Sequence, residues 1–171
     1  MLSKDPESNL DPSTAALLVI DVQRALFSRS TPIFEADKLL WNLNRLIALW
    51  QRKDGTVVYV QHSNKKMLVK GTPDWELHPD LKRIDTGALV HKVHGNAFEK
   101  TELKSLIDSR GTGVVVVTGL VTQGCVRATC IGARELGYRV ILVEDGHSNY
   151  SKDAAKIVEE WKKNLHKSTL N

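Results

Sequence analysis

Three residues of this chain combine a reactive type with a position where it could act. Cys125 sits in residues 114–127, VVVVTGLVTQGCVR, which read as a buried strand, a glycine-containing turn and the first turn of a helix. A thiol there lies at the positive end of a helix dipole, which favours a thiolate. Asp21 ends the apolar run AALLVID, residues 15–21. A carboxylate in such a place is costly to bury alone, so it has partners or is poised to take a proton. Lys92 closes ALVHK with the opposite charge, and a lysine facing both groups would stabilise either anion. A thiol, a carboxylate and an ammonium together are the parts of an activated nucleophile: a sulfur, a base for its proton and a cation to orient both. Taken singly, the residues leave plainer readings open: a structural thiol, a loop cap and a rim charge.

The surrounding pattern predicts the elements that would bring them together. Residues 15–21 form a continuous apolar strand, as in a parallel sheet covered on both faces. Residues 37–53 carry apolar side chains at helical spacing, with Asp37 as N-cap and Gly55 just past the end. A second strand, 56–60, closes at Gln61 and His62. Residues 63–87 are polar, contain Gly71, Pro73 and Pro79, and form a long loop of the kind that walls a pocket. A short strand at 88–92, a helix at 98–109, a strand at 114–118 and a helix at 124–136 follow. The last strand is 139–145, ended by Asp145, and the last helix 151–166. This alternation predicts a three-layer α/β/α fold, Rossmann-like, with a parallel sheet of five or six strands. In such sheets the site lies at the carboxyl ends of the strands, where Asp21, His62, Lys92 and the turn before Cys125 all fall.

Composition excludes other classes. Hydrophobic residues make up 42% and charged residues 26% of 171, the balance of a folded domain and not of a disordered chain. One domain is expected over residues 14–171, after a polar tail, 1–13, that does not read as a signal peptide. No apolar run approaches the roughly 20 residues of a membrane span. The net charge of +4 is spread along the chain; Lys65, Lys66, Lys162, Lys163 and Lys167 read as solvated faces, not as a nucleic-acid groove. The two cysteines, Cys125 and Cys130, share one predicted helix without a CxxC spacing, which fits a reducing, cytoplasmic compartment. Gly111 and Gly113 precede a strand instead of following one, so they are not a dinucleotide fingerprint.

Five pieces, in order, resemble the isochorismatase-like cysteine hydrolases, the superfamily that includes nicotinamidases. They are LLVIDVQ (17–23), GT-x5-HP-x-L (71–81), VHKVHGNAF (90–98), VTGLVTQGCVRAT (117–129) and YRVILVEDGHS (138–148). The resemblance implies that Asp21, Lys92 and Cys125 form a catalytic triad. Asp21 would take the thiol proton and return it to the leaving amine, Lys92 would orient Asp21, and Cys125 would form a thioester. It also implies a cis peptide bond at Leu120–Val121, with the Val121 and Cys125 N–H groups as oxyanion donors. Gln23, Leu120 and Thr122 would support the site. Leu26, His62, Trp75, His78, Phe98 and Gly124 are the expected pocket residues.

The departures from the family pattern narrow the expectation. Nicotinamidases build a metal site on an Asp-x-His after the second strand; here the three positions read Val60-Gln61-His62, so no metal and no cofactor is expected. Leu26 stands where many relatives have an aromatic, and Gly124 where they have a bulkier residue. His91 and His94 flank Lys92 without a carboxylate spaced to join them. Cys125 itself favours C–N hydrolysis over the vinyl ether cleavage of isochorismatases, in which the cysteine is generally replaced. The expected activity is therefore hydrolysis of an amide or related C–N bond in a small molecule. Alternatives are a nicotinamidase, a vinyl ether hydrolase, and a non-catalytic ligand-binding or redox-responsive relative. The resemblance also implies a homo-oligomer, dimer or tetramer, for which Trp41 and Trp50 are candidate exposed aromatics.

Overall fold

Each of the six residues of β1, Ala15–Ile20, is buried, which is what a continuous apolar run requires: cover on both faces. In the computed structural model, which describes residues 10–168 and side chains through 161, β1 is the middle strand of a parallel sheet. Among the described residues the order is β3-β2-β1-β4-β5. The flanking strands are β2 (Thr56–His62), β3 (Ala88–Lys92), β4 (Val114–Leu120) and β5 (Arg139–Ser148).

The two-residue strand period sorts the core into two layers. Ala15, Leu17 and Val19 face α2 (Ala36–Arg52), which contributes Leu39, Leu43, Ile47 and Trp50. Ala16, Leu18 and Ile20 face the other way, onto Leu103 and Ile107 of α3 (Leu103–Ser109) and Ala133 of α4 (Arg127–Glu135). Each such Leu or Ile contributes roughly 1.5–3 kcal/mol by leaving water. A one-turn helix, α1 (Arg24–Phe27), follows β1, and α5 (Ala154–Ser168) closes the chain.

Several expectations are corrected. Trp50 is not exposed: it is fully buried, and its Nε1 donates to the Ala15 carbonyl at 2.9 Å. Trp41 is exposed, with Arg45 stacked over its ring. Asp37 does not cap α2, which begins at Ala36 after Glu35 in the left-handed region; Asp37 lies in the first turn, where its charge complements the helix dipole. The helix expected from residue 98 starts only at Leu103, because side chains capture its first turn locally. Asn96 accepts the Phe98 N–H, and Thr101 donates to the Ala97 carbonyl. β5 continues to Ser148 after a register shift against β4, pairing His147 with Gly119 and Ser148 with Leu120. Asp145 is thus inside the strand, not at its end.

Of the expected tail, residues 1–9 lie outside the described residues; Leu10 packs on the core and Pro12 is buried. The side chains of Lys162, Lys163 and Lys167 also lie outside them. The long loop between β2 and β3 is packed despite its lack of period. Trp75 is buried within it, and Tyr59 of β2 donates to the Lys82 carbonyl and accepts the Ile84 N–H. No helix among the described residues is long and apolar enough to cross a membrane.

Candidate active site

Asp21 is the first residue past β1 and takes a left-handed conformation, φ 53°. Its N–H donates to Val60 and its carbonyl accepts from Gln23, so the turn is held at both ends. The side chain is buried. Oδ2 accepts from Lys92 Nζ at 3.0 Å, whereas Oδ1 has no hydrogen-bond partner among the described residues.

Lys92 reaches Asp21 from two strands away. Neighbouring strands are about 4.8 Å apart, and a four-carbon stem spans that gap where a shorter cation would not. Its side chain is fully buried, which for an ammonium demands compensation. The compensation is dense: besides Asp21, Nζ lies 3.1 Å from His62 Nδ1, from the His94 carbonyl and from Cys125 Sγ.

Cys125 arrives from the opposite side of β1. Gly119, φ 110°, lets β4 press against β1 just before the turn; a Cβ there would fall 2.1 Å from the Ile20 carbonyl oxygen. The Leu120–Val121 peptide is cis. The chain then makes one widened helical turn, Thr122–Val126, in which the Val126 N–H bonds five residues back to Val121. Cys125 therefore stands in this wide turn, two residues ahead of α4, and not in the first turn of the helix as expected. A Cβ at Gly124 would meet Val121 Cγ2 at 2.9 Å, so a side chain there would require Val121 to shift.

The thiol is not a resting thiolate. Burial, and next the negative charge of Asp21, push Cys125 up to about 12, and Lys92 draws it down only in part. This corrects the dipole argument: burial outweighs the helix end, and the Cys125 thiol keeps its proton at neutral pH.

The supporting residues act by clamping. Gln23, fully buried, donates to the carbonyls of His62 and Trp75 at 3.0 and 2.7 Å and accepts the His62 N–H at 2.9 Å. Its amide thus ties the end of β2 to the long loop. Thr122 is fully buried and donates to the Ser148 carbonyl at 3.1 Å; its oxygen lies 2.9 Å from His147 Nδ1. A hydroxyl has one proton to give, so the Thr122 hydroxyl serves the Ser148 carbonyl or His147 Nδ1 according to the His147 tautomer. Asn149 bonds Gln123 in the same turn. Leu120 is fully buried beneath it.

A match to the isochorismatase domain model covers residues 15–159. The chain belongs to the isochorismatase family. A streptothricin hydrolase of Streptomyces noursei is 34% identical over 147 residues, 85% of this chain and 53% of that protein. The chain spans about half the length of the streptothricin hydrolases it matches. Nicotinamidase 3 of Arabidopsis thaliana is 27% identical over 183 residues, covering 98% of this chain and 82% of that one. A crystal structure described as an isochorismatase family protein superposes with TM-score 0.81 at 26% identity, over 87% of this chain and 91% of the other. The expected three-layer architecture is thereby borne out.

The expected pocket residues of this isochorismatase-family chain divide. His62 is at the centre, against Lys92. Trp75 packs the loop, donating from Nε1 to Ser63 Oγ and standing edge-on to His91 at 5.0 Å. His78 tilts against Phe27, ring centroids 4.4 Å apart, and burial lowers its pKa. Leu26 belongs to the core under α2. Phe98 is likewise a core residue, stacked on Tyr138. His94 lies beside Glu99 at 3.5 Å. Sequence reasoning missed His147, Asn149 and the His94 carbonyl, since their roles come from main-chain or cross-strand placement that no spacing encodes. A cavity of about 360 Å³ lined by Phe34, Lys38, Asp145, His147 and Glu159 includes none of Asp21, Lys92 and Cys125.

The site does not fit the metal of the nicotinamidase pattern. A carboxylate oxygen of Asp21, a ring nitrogen of His62 and Cys125 Sγ lie within 4.8 Å of one another. The Lys92 ammonium already stands among them, 3.0, 3.1 and 3.1 Å away respectively, and Val60 offers no ligand atom. A second cation there would meet the first at short range.

Proposed function

We propose that the protein hydrolyses an amide or related C–N bond in a small molecule through a thioester on Cys125. Asp21 is the general acid and base, and Lys92 the orienting cation. The observation that carries this reading is the buried Lys92 ammonium between Asp21 Oδ2 at 3.0 Å and Cys125 Sγ at 3.1 Å. The thiol proton moves to Asp21 as sulfur bonds the carbonyl carbon. The negative charge that develops on oxygen is met by the N–H groups of Val121 and Cys125, each worth roughly 3 kcal/mol of barrier. Collapse of the tetrahedral intermediate breaks the C–N bond, and the amine leaves with the proton from Asp21. Water then gives a proton to Asp21 while attacking the thioester; the acid departs and sulfur recovers its proton.

The family membership and the names of the relatives, a streptothricin hydrolase and a nicotinamidase, support amide hydrolysis as the reaction class. The retained thiol favours it over vinyl ether cleavage. The same reading includes a small-molecule substrate, no nucleic-acid or membrane partner, a cytoplasmic location and a homo-oligomer, dimer or tetramer. The half-exposed Trp41 supports the last, and light scattering tests it.

The decisive experiment offers nicotinamide, pyrazinamide, carbamoyl compounds, lactams and ureido acids to the protein and follows ammonia or acid release. Turnover of at least one is expected, with an acyl adduct on Cys125 in quenched samples and no turnover by Cys125→Ala. If no amide turns over while Cys125→Ala still binds the same ligands, the protein is a binding module and not a hydrolase.

A further inference from the structure

Lys92 has three N–H bonds and four acceptors. Asp21 Oδ2, His62 Nδ1, the His94 carbonyl and Cys125 Sγ all lie within 3.1 Å of Nζ, so at any moment one acceptor goes without. Two of the four do not change during the reaction drawn above. The His94 carbonyl is main chain, and His62 neither gains nor loses a bond. The remaining two exchange charge, since Asp21 becomes neutral as Cys125 becomes a thiolate. The third N–H is therefore drawn from Asp21 to Cys125 as the proton travels the other way.

We propose that His62 is a positioning residue: through Nδ1 it accepts one Lys92 N–H permanently, and this holds the ammonium where its third N–H can swing between Asp21 and Cys125. The proposal rests on the hydrolytic reading for its meaning in turnover, but not for its geometry. An ammonium is a donor only, so His62 Nδ1 must be unprotonated and its ring proton carried on Nε2. The fold enforces this pairing. His62 and Lys92 are direct partners in the β2–β3 register, so their side chains leave the sheet on one face. The His62 main chain is fixed on both sides by the Gln23 amide, and Ser63 N–H ties the strand end to the Lys92 carbonyl.

Protonation of His62 would turn the acceptor into a donor and set two cations against each other. The charged groups that face it are Asp21 from the end of β1, Lys92 from β3 and His94 from the loop beyond. Burial, and then Lys92, lower the His62 pKa from 6.5, and the Asp21 charge and hydrogen bonding to the His94 main chain oppose them only in part. The ring thus stays neutral at pH 7, and its acceptor role fails only at more acid pH.

Alkylation of Cys125 by iodoacetamide reads the site without a known substrate. In the Cys130→Ala background, the rate is measured against pH for His62→Leu, which has no acceptor, and for His62→Asn, whose amide oxygen replaces Nδ1. Loss of a hydrogen bond to a charged group predicts a roughly tenfold to hundredfold slower reaction for His62→Leu at pH 7. His62→Asn is expected to keep most of the rate, with its acid limb moved to lower pH because the imidazole is gone. With a turned-over amide, kcat falls in His62→Leu while KM holds. If His62→Leu reacts at the parent rate, or His62→Asn keeps the parent acid limb, the proposal is overturned; the second arm decides alone should the leucine variant not fold. If alkylation depends on His62 as described but no amide is hydrolysed, the positioning stands and the hydrolytic reading fails.

Discussion

Cys125 and Cys130 are five residues apart, and burial pushes each thiol up to about 12. By burial alone they are equally inert. Their neighbours differ: Cys125 has the Asp21 carboxylate and the Lys92 ammonium, whereas only the Arg134 charge acts against burial at Cys130. On the proposed mechanism, reactivity is decided not by a thiol's resting ionisation but by whether an acceptor stands ready for its proton. A carboxylate beside a thiol raises the thiol's pKa and still makes it the better nucleophile on demand, because the proton has a short way to go.

The variant that breaks this contrast most severely is Asp21→Asn. It removes the negative charge that raises the Cys125 pKa, so titration of thiolate absorbance is expected to place Cys125 lower than in the parent. Turnover is expected to fall by roughly 10²–10⁴, the usual worth of a general acid–base group. A lower pKa with lost activity separates proton acceptance from ionisation. Faster turnover in this variant would return the site to a simple thiolate mechanism.

Lys92→Met comes next and acts on structure as well as rate. It strips the only ion-pair partner of Asp21 among the described residues and leaves a carboxylate that is 4% exposed. Breaking a buried pair on one side costs roughly 3–5 kcal/mol, to be read as a lower Tm and denaturation midpoint. The Cys125 pKa is expected to rise, since the one cation lowering it is gone. Adding Asp21→Asn should recover part of the lost stability by neutralising the orphaned charge; no recovery would mean that the lysine matters through packing alone.

How much of this contrast was legible beforehand follows from what periodicity records. Apolar runs marked all five strands, and the parallel alternation placed Asp21, Lys92 and Cys125 at strand ends, where the structure brings them together. Spacing along the chain says nothing about which strand lies beside which residue. His62 therefore read as a pocket residue until the β2–β3 register set it opposite Lys92. Setting Trp50 beside Trp41 as an exposed aromatic runs against its spacing, which puts it on the apolar face with Leu43 and Ile47, and the structure follows the spacing. Gly55 lets Pro12 approach that face, since a Cβ there would meet the Pro12 carbonyl oxygen at 2.4 Å. The loop after β2 had no period because its order comes from single bonds, Trp75 to Ser63 and Tyr59 to Lys82. The dipole argument misjudged the thiol because burial, a property of the whole fold, outweighs one helix end.

The smallest effect is expected from Cys130→Ala, and its sign is the useful part. The Cys130 thiol has an ordinary pKa of 9.0 and one of about 12 in the fold. Above pH 9 the unfolded chain gives up this proton while the folded chain keeps it, so ionisation favours unfolding with rising pH until the folded thiol also titrates. The stability that the neutral buried thiol carries is therefore complete below pH 9 and lost between about 9 and 12. Replacing Cys130 by alanine removes that loss, and the variant is expected to unfold less steeply with alkali than the parent. At pH 7 its turnover should match the parent within about twofold, because among the described residues no carboxylate acts on Cys130. A large fall in turnover, with folding intact, would show that the two thiols are coupled and that the contrast between them is not one of neighbours alone.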